Sequence, residues 1–112
     1  MKDITIYLGD IAEQAEILMQ AVSTISYEEY LRTPLYQNGI VRSFEIIGEA
    51  AKQIPEEYRI QHPDIPWRKM AGLRDRLIHA YASINYRLIW QIAADEIPAL
   101  HQQIQSLIEE RS

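Results

Sequence analysis

Apolar residues recur along this chain at alternating spacings of three and four, with polar residues filling the gaps. Ile4, Leu8, Ile11, Ala15, Leu18 and Val22 form the first series, with Asp10, Glu13, Glu16 and Gln20 interposed. That is the period of an amphipathic helix with one face turned inward, and it predicts a long helix over residues 4–22. Ser26-Tyr27-Glu28-Glu29 places a Ser three residues ahead of a Glu, the form of a capping box, and opens a short helix reaching about Leu31. Thr33 and Pro34 restart the chain, Thr as a helix cap and Pro in the first helical position. Ile40, Phe44, Ile47, Ala51 and Ile54 supply the inner stripe of a second long helix, which Pro55 ends.

Two glycines, Gly39 and Gly48, sit inside that second helix, where each costs about 1 kcal/mol of propensity relative to Ala. Close approach of another backbone is the expected reason. Arg42 with Glu45, and Glu49 with Lys52, stand at i, i+3 and suit surface ion pairs, the favoured reading; the alternative is that Glu45 or Glu49 braces an arginine further along. Residues 55–66 hold Pro55, Pro63 and Pro66 and read as an irregular connection with one turn at Glu56-Glu57-Tyr58 and an exposed His62. Asp64-Ile65-Pro66-Trp67 opens a third helix whose buried side is Trp67, Met70, Leu73 and Leu77. Asn85 caps the last helix, with Ala93, Ile97, Leu100, Ile104 and Leu107 inward and His101 in solvent. Pro98 falls inside it and demands a kink or two abutting helices. No alternating strand pattern and no repeat occurs. The expectation is an all-α, up-and-down bundle of four principal helices plus short ones, in one domain over residues 1–112.

Composition adds little to that picture but excludes several chemistries. With 112 residues, 47% of them hydrophobic, the chain is long enough for one real core. There is no cysteine, hence no disulfide, thiol nucleophile or Cys-ligated zinc, which fits a reducing cytosol. Met1 to Thr5 lead straight into the amphipathic pattern rather than into a signal-peptide core, and no apolar run approaches the ~20 residues of a membrane span. A cytoplasmic protein without membrane contact is expected. The three histidines are too scattered for a helical metal site, and no phosphate-cradling glycine loop is present, so neither metal nor cofactor is expected.

Charge changes the picture more. The net charge of −5 argues against a protein that coats nucleic acid, yet residues 59–87 carry Arg59, Arg68, Lys69, Arg74, Arg76 and Arg87 against only Asp64 and Asp75. One local phosphate site suits that distribution. Within it, Arg74-Asp75-Arg76-Leu77-Ile78-His79-Ala80-Tyr81 crowds guanidinium, carboxylate, imidazole and phenol into eight residues. On a continuous helix Arg74 and Tyr81 share a face, Asp75 and His79 can touch, and Arg74 and His79 diverge by about 140°. One phosphate then meets both only where the helix end loosens or a second copy contributes. Metal-free acid–base chemistry on RNA fits these groups, because the 2′-OH of RNA is itself the nucleophile. An imidazole, titrating near pH 6.5 in water, moves the proton. Asp75 orients His79 and Arg74 stabilises the developing charge. One histidine per chain is awkward for a reaction needing both acid and base, which points to a homodimer. A solvated helix face with an ion pair is the plain alternative.

The pattern R-x-x-x-x-H-x-Y, here Arg74, His79 and Tyr81, resembles the signature of HepT-like ribonuclease toxins of the HEPN superfamily, and the polar Asp75 directly after the arginine matches as well. Glu45-Ile46-Ile47-Gly48-Glu49-Ala50-Ala51 resembles the helix preceding the motif in that family, and Trp67 opens the motif helix as it does there. The resemblance implies a HEPN-like helical fold and a homodimer with paired motifs. It implies a metal-independent endoribonuclease, the toxin of a type VII toxin–antitoxin system, with Arg74 and His79 catalytic and Asp75 supporting. It implies a nucleotidyltransferase antitoxin of the MntA type that silences the toxin by transferring AMP to Tyr81. RNA is the expected substrate, and DNA is not. The runner-up is a non-catalytic helical dimer that binds a nucleotidyltransferase partner or a nucleotide, and a plain structural bundle is a third, weaker reading.

Overall fold

The computed structural model describes residues 3–111, which form helices joined by short connections and no strand. Met1 and Lys2, part of the expected N-terminal lead-in, lie outside the described residues. Helix α1 runs Ile4–Thr24, capped by the Asp3 carboxylate, which accepts from the Thr5 N–H at 3.0 Å. Helix α2, Tyr27–Arg32, starts on the expected capping box: Glu29 N–H donates to Ser26 Oγ at 3.1 Å, and Ser26 N–H donates to Glu29 Oε1 at 3.3 Å. Helix α3 is Pro34–Gln53, with Pro34 in its first turn; Thr33 holds the cap position but its hydroxyl makes no capping bond.

The connection over 55–66 is more ordered than its prolines suggest, because Glu56–Gln61 form a helix, α4, starting directly after Pro55. His62 is half-buried rather than exposed: its ring lies 4.6 Å from that of Tyr58, and its carbonyl accepts from Trp67 Nε1 at 3.0 Å. Helix α5, Trp67–His79, begins at Trp67 with Pro66 in the cap position, so Asp64 and Ile65, expected to open it, lie before it. A 3-10 turn, Tyr81–Ser83, separates it from α6, Tyr86–Asp95, where Asn85 Oδ1 accepts from Leu88 N–H at 3.1 Å as expected of a cap. Helix α7, Ile97–Arg111, abuts α6 across Glu96. Pro98 accounts for the break, since it has no N–H for a continuing helix and its ring crowds the preceding turn.

The inner stripes predicted from periodicity meet in one core: Leu8, Ile11, Ala15 and Leu18 from α1, Ile40, Phe44, Ile47 and Ala51 from α3, and Ile104 and Leu107 from α7 are buried. Helix α3 lies between α1 and α5, while α7 packs along α1. Tyr30, fully buried, donates its hydroxyl to the Tyr86 carbonyl at 2.8 Å and so ties α2 to the start of α6; burial pushes its phenol well above the ordinary range. His101 is not in open solvent: it sits half-buried on α7 with Nε2 3.6 Å from Glu16 of α1. Among the described residues no helix is long and apolar enough to cross a membrane.

Candidate active site

The site begins where the bare α3 backbone at Gly48 meets α5. A Cβ on Gly48 would stand 2.2 Å from Arg74 Cβ and 2.6 Å from the Met70 carbonyl oxygen, so only glycine fits. The close approach expected for Gly48 is therefore real, and it seats the stem of Arg74 directly on the α3 backbone. Gly39 is different, with nothing within 4 Å of where its Cβ would lie.

From that seat the Arg74 guanidinium reaches two carboxylates. Its Nη2 is 3.3 Å from Glu49 Oε2, and its Nη1 donates to Asp75 Oδ1 at 3.0 Å. Gln53 Nε2 braces the other oxygen of Glu49 at 3.3 Å. Lys52 Nζ donates to the same Asp75 Oδ1 at 3.1 Å, so two cations from different helices converge on one oxygen. The hydrogen bond from Arg74, and then that from Lys52, hold the Asp75 carboxyl below the usual carboxylate range. Arg74 Nε is buried without a partner.

These partners differ from the expectation for Glu49 and Lys52. They do not pair with each other across one helical turn; each reaches over to α5, and Glu49 is the acid that braces the motif arginine. Glu45 does hold Arg42, at 3.4 Å, as its spacing suggests. Asp75 is turned to Lys52 and Arg74 rather than to His79, so the contact expected four residues apart is not formed. The α3–α5 proximity set by Gly48 decides this, because it offers Asp75 two cations at once. Lys52 was missed as a site residue, and the available signal was its place one turn after Glu49 on the face that Gly48 brings to α5.

His79 is exposed and is the last residue of α5, which also carries Arg76 in its final turn. Ala80, at φ −117° and ψ 38°, leaves helical geometry, and Tyr81 stands 76% exposed in the turn beyond. The face that Arg74 and Tyr81 would share on an unbroken helix is thus interrupted. The structure brings Arg74 and Asp75 together, adds Glu49 and Lys52, and sets His79 and Tyr81 at the open end of α5. A cleft of about 360 Å³ opens on the other flank of Arg74, between α3, α5 and the start of α1. Among the described residues no three His, Cys, Asp or Glu side chains are grouped to hold a metal ion.

Residues 11–107 match the family described as Ribonuclease HepT-like, a span that contains α3, α5 and the turn after it. The chain belongs to the HepT-like ribonuclease family. A relative from Caldanaerobacter subterraneus subsp. tengcongensis that carries an RNase name is 42% identical over 109 residues, covering 97% of each chain. A protein of Thermococcus cleftensis named "Probable ribonuclease HepT" is 42% identical over 101 residues, 90% of this chain and 92% of that one. No solved structure matches. Membership agrees with the helical fold, and the matched span contains the Arg74 cluster.

Proposed function

We propose that this HepT-like chain is a metal-independent endoribonuclease, with Arg74 and His79 in contact with RNA. The observation that carries the reading is the convergence of Arg74 and Lys52 on one Asp75 oxygen. A phosphate oxygen that displaces this carboxylate oxygen meets a planar guanidinium and an ammonium together, which is the arrangement that stabilises charge developing on phosphorus. Asp75 and Glu49 aim Arg74 until the phosphate arrives. The 2′-OH attacks the adjacent phosphorus, the bond to the 5′ oxygen breaks, and a 2′,3′-cyclic phosphate and a 5′-OH result. One imidazole takes the proton from the 2′-OH and a second delivers one to the leaving oxygen. With one His79 per chain, a homodimer supplies both.

Tyr81 is the residue for regulation. Its exposure leaves the phenol open to an MntA-type nucleotidyltransferase, which would transfer AMP from ATP to the Tyr81 oxygen and release pyrophosphate. The added phosphate next to the basic end of α5 would block RNA and silence a toxin of the type VII kind.

The test is cleavage of a structured RNA by the purified chain in EDTA, with intact mass measured on the same sample. Wild-type cleavage is expected, with His79→Ala reducing the rate by roughly 10²–10⁴-fold. Added mass in AMP units on Tyr81 with no cleavage would identify the silenced form. An unmodified, folded dimer that cleaves none of several RNAs would overturn the nuclease reading in favour of a non-catalytic partner-binding dimer.

A further inference from the structure

We infer that the cleft beside Arg74 is a nucleobase subsite, taking the base next to the phosphate that Arg74 holds and favouring bases with an exocyclic amine. The inference rests on the ribonuclease reading and names the part of RNA the cleft receives. At about 360 Å³ the cleft suits a small planar group. Ile46 and Ala50 of α3 and Ile78 of α5 give it an aliphatic floor, and Ile78, one turn beyond Arg74, remains 38% exposed.

Charge decides which part of a nucleotide fits. The cleft is lined by three carboxylates, Asp10, Glu45 and Glu49, by two guanidiniums, and by the Tyr7 phenol and the Gln53 amide, whose N–H already donates to Glu49. Both guanidiniums are already engaged, Arg42 by Glu45 and Arg74 by Glu49. A phosphate inside would meet net repulsion, while a neutral ring would not. Carboxylates only accept hydrogen bonds, so the rim rewards a ring edge that donates. Adenine, cytosine and guanine each present an exocyclic amine; uracil presents carbonyl oxygens in its place. With Arg74 in the wall of the cleft, a nucleotide whose phosphate sits on the guanidinium has its base at the opening.

The test follows the isoleucine methyl resonances of the ¹³C-methyl-labelled full chain during titration with nucleoside monophosphates, while cleavage of a structured RNA is mapped in parallel. Ile46 and Ile78 should shift with AMP, CMP and GMP, and UMP should bind roughly 3- to 10-fold more weakly, the factor one net hydrogen bond supplies. Glu45→Gln, whose amide can donate to a uracil carbonyl, should narrow that difference. Equal affinity for all four nucleotides, or still methyls beside active cleavage, would overturn the subsite. Methyl shifts that track protein concentration without nucleotide would overturn it too, since a second copy would then cover the cleft. Base-selective shifts from a chain that cleaves nothing would leave the subsite standing and remove the ribonuclease reading.

Discussion

Arg74 offers five N–H donors in a fixed fork, and two carboxylates already occupy part of it. Glu49 and Asp75 therefore have two opposed effects on a phosphate ligand: they hold the guanidinium in one orientation, and they compete for its charge. Removing Glu49 separates the two. Glu49→Ala frees the fork to wander, so kcat for RNA cleavage should fall by roughly 10–10²-fold, while KM stays level or falls as a competing negative charge is lost. Glu49→Gln keeps an acceptor of the same reach and should restore most of kcat. A rise in KM with unchanged kcat would show instead that Glu49 acts only on binding, through the cleft it lines, and does not aim Arg74. Lys52 is tested by salt, since a lysine that neutralises one phosphate releases counterions on binding. Lys52→Ala should flatten the log–log dependence of single-stranded RNA affinity on salt by about 0.7–1, and an unchanged slope would confine Lys52 to its pair with Asp75.

Helices α3 and α5 turn these single contacts into a site, and their spacing rests on Gly48. Ala at this position gains about 1 kcal/mol of helix propensity, but its methyl meets a backbone carbonyl and the stem of Arg74, neither of which yields as a flexible side-chain tip would. Overpacking of about 1–3 kcal/mol should win, so urea unfolding of Gly48→Ala should show a net loss of stability, with cleavage falling as Arg74 shifts from Glu49. Gly39→Ala is the internal contrast. Its surroundings are empty and its φ is not positive, so it should gain about 0.4–1 kcal/mol. The contrast also marks how far the sequence could be read. The apolar stripes, the Ser26 capping box and the Pro98 break were legible because each depends on residues within one helix. Both glycines looked alike because what distinguishes them lies on another helix. For the same reason Glu49 and Lys52 read as partners of each other, although α5 offered each a better-placed opposite charge. His62 read as exposed because the prolines around it hide the helix that sets the Tyr58 ring one turn before it, and His101 because the α1 carboxylate beside it comes from tertiary packing. Tyr81 read as a neighbour of Arg74 because nothing local announced that α5 stops at His79.

At the scale of the whole molecule, ion pairs tie the two termini of the bundle together and shape the site. Arg111 near the end of α7 bonds Asp3 at 3.2 Å and Thr5 Oγ1 at 3.0 Å, joining the two ends of the described chain. The Thr5 backbone bond and Arg111 hold the Asp3 carboxyl low, as Arg74 and Lys52 do for Asp75. A carboxyl lowered by folding contributes stability that is complete above its unfolded pKa, near 4, and is lost as pH falls through the lower folded value. Urea unfolding should thus lose stability below about pH 4, and Asp3→Asn with Asp75→Asn should flatten that loss. Neutral pH is outside this window, so activity there should depend on assembly instead. His79 stands at the open end of α5, one turn beyond Asp75, and a second copy of the chain is the proposed source of the second imidazole. Mixing equal amounts of wild-type and inactive His79→Ala chains tests that arrangement directly. If one reaction needs both copies of His79, only dimers of two wild-type chains cleave. With random exchange about a quarter of the dimers are of that kind, so about a quarter of the all-wild-type activity should remain. Sites built within one chain would instead retain about half, although mass spectrometry showed that the protomers had exchanged.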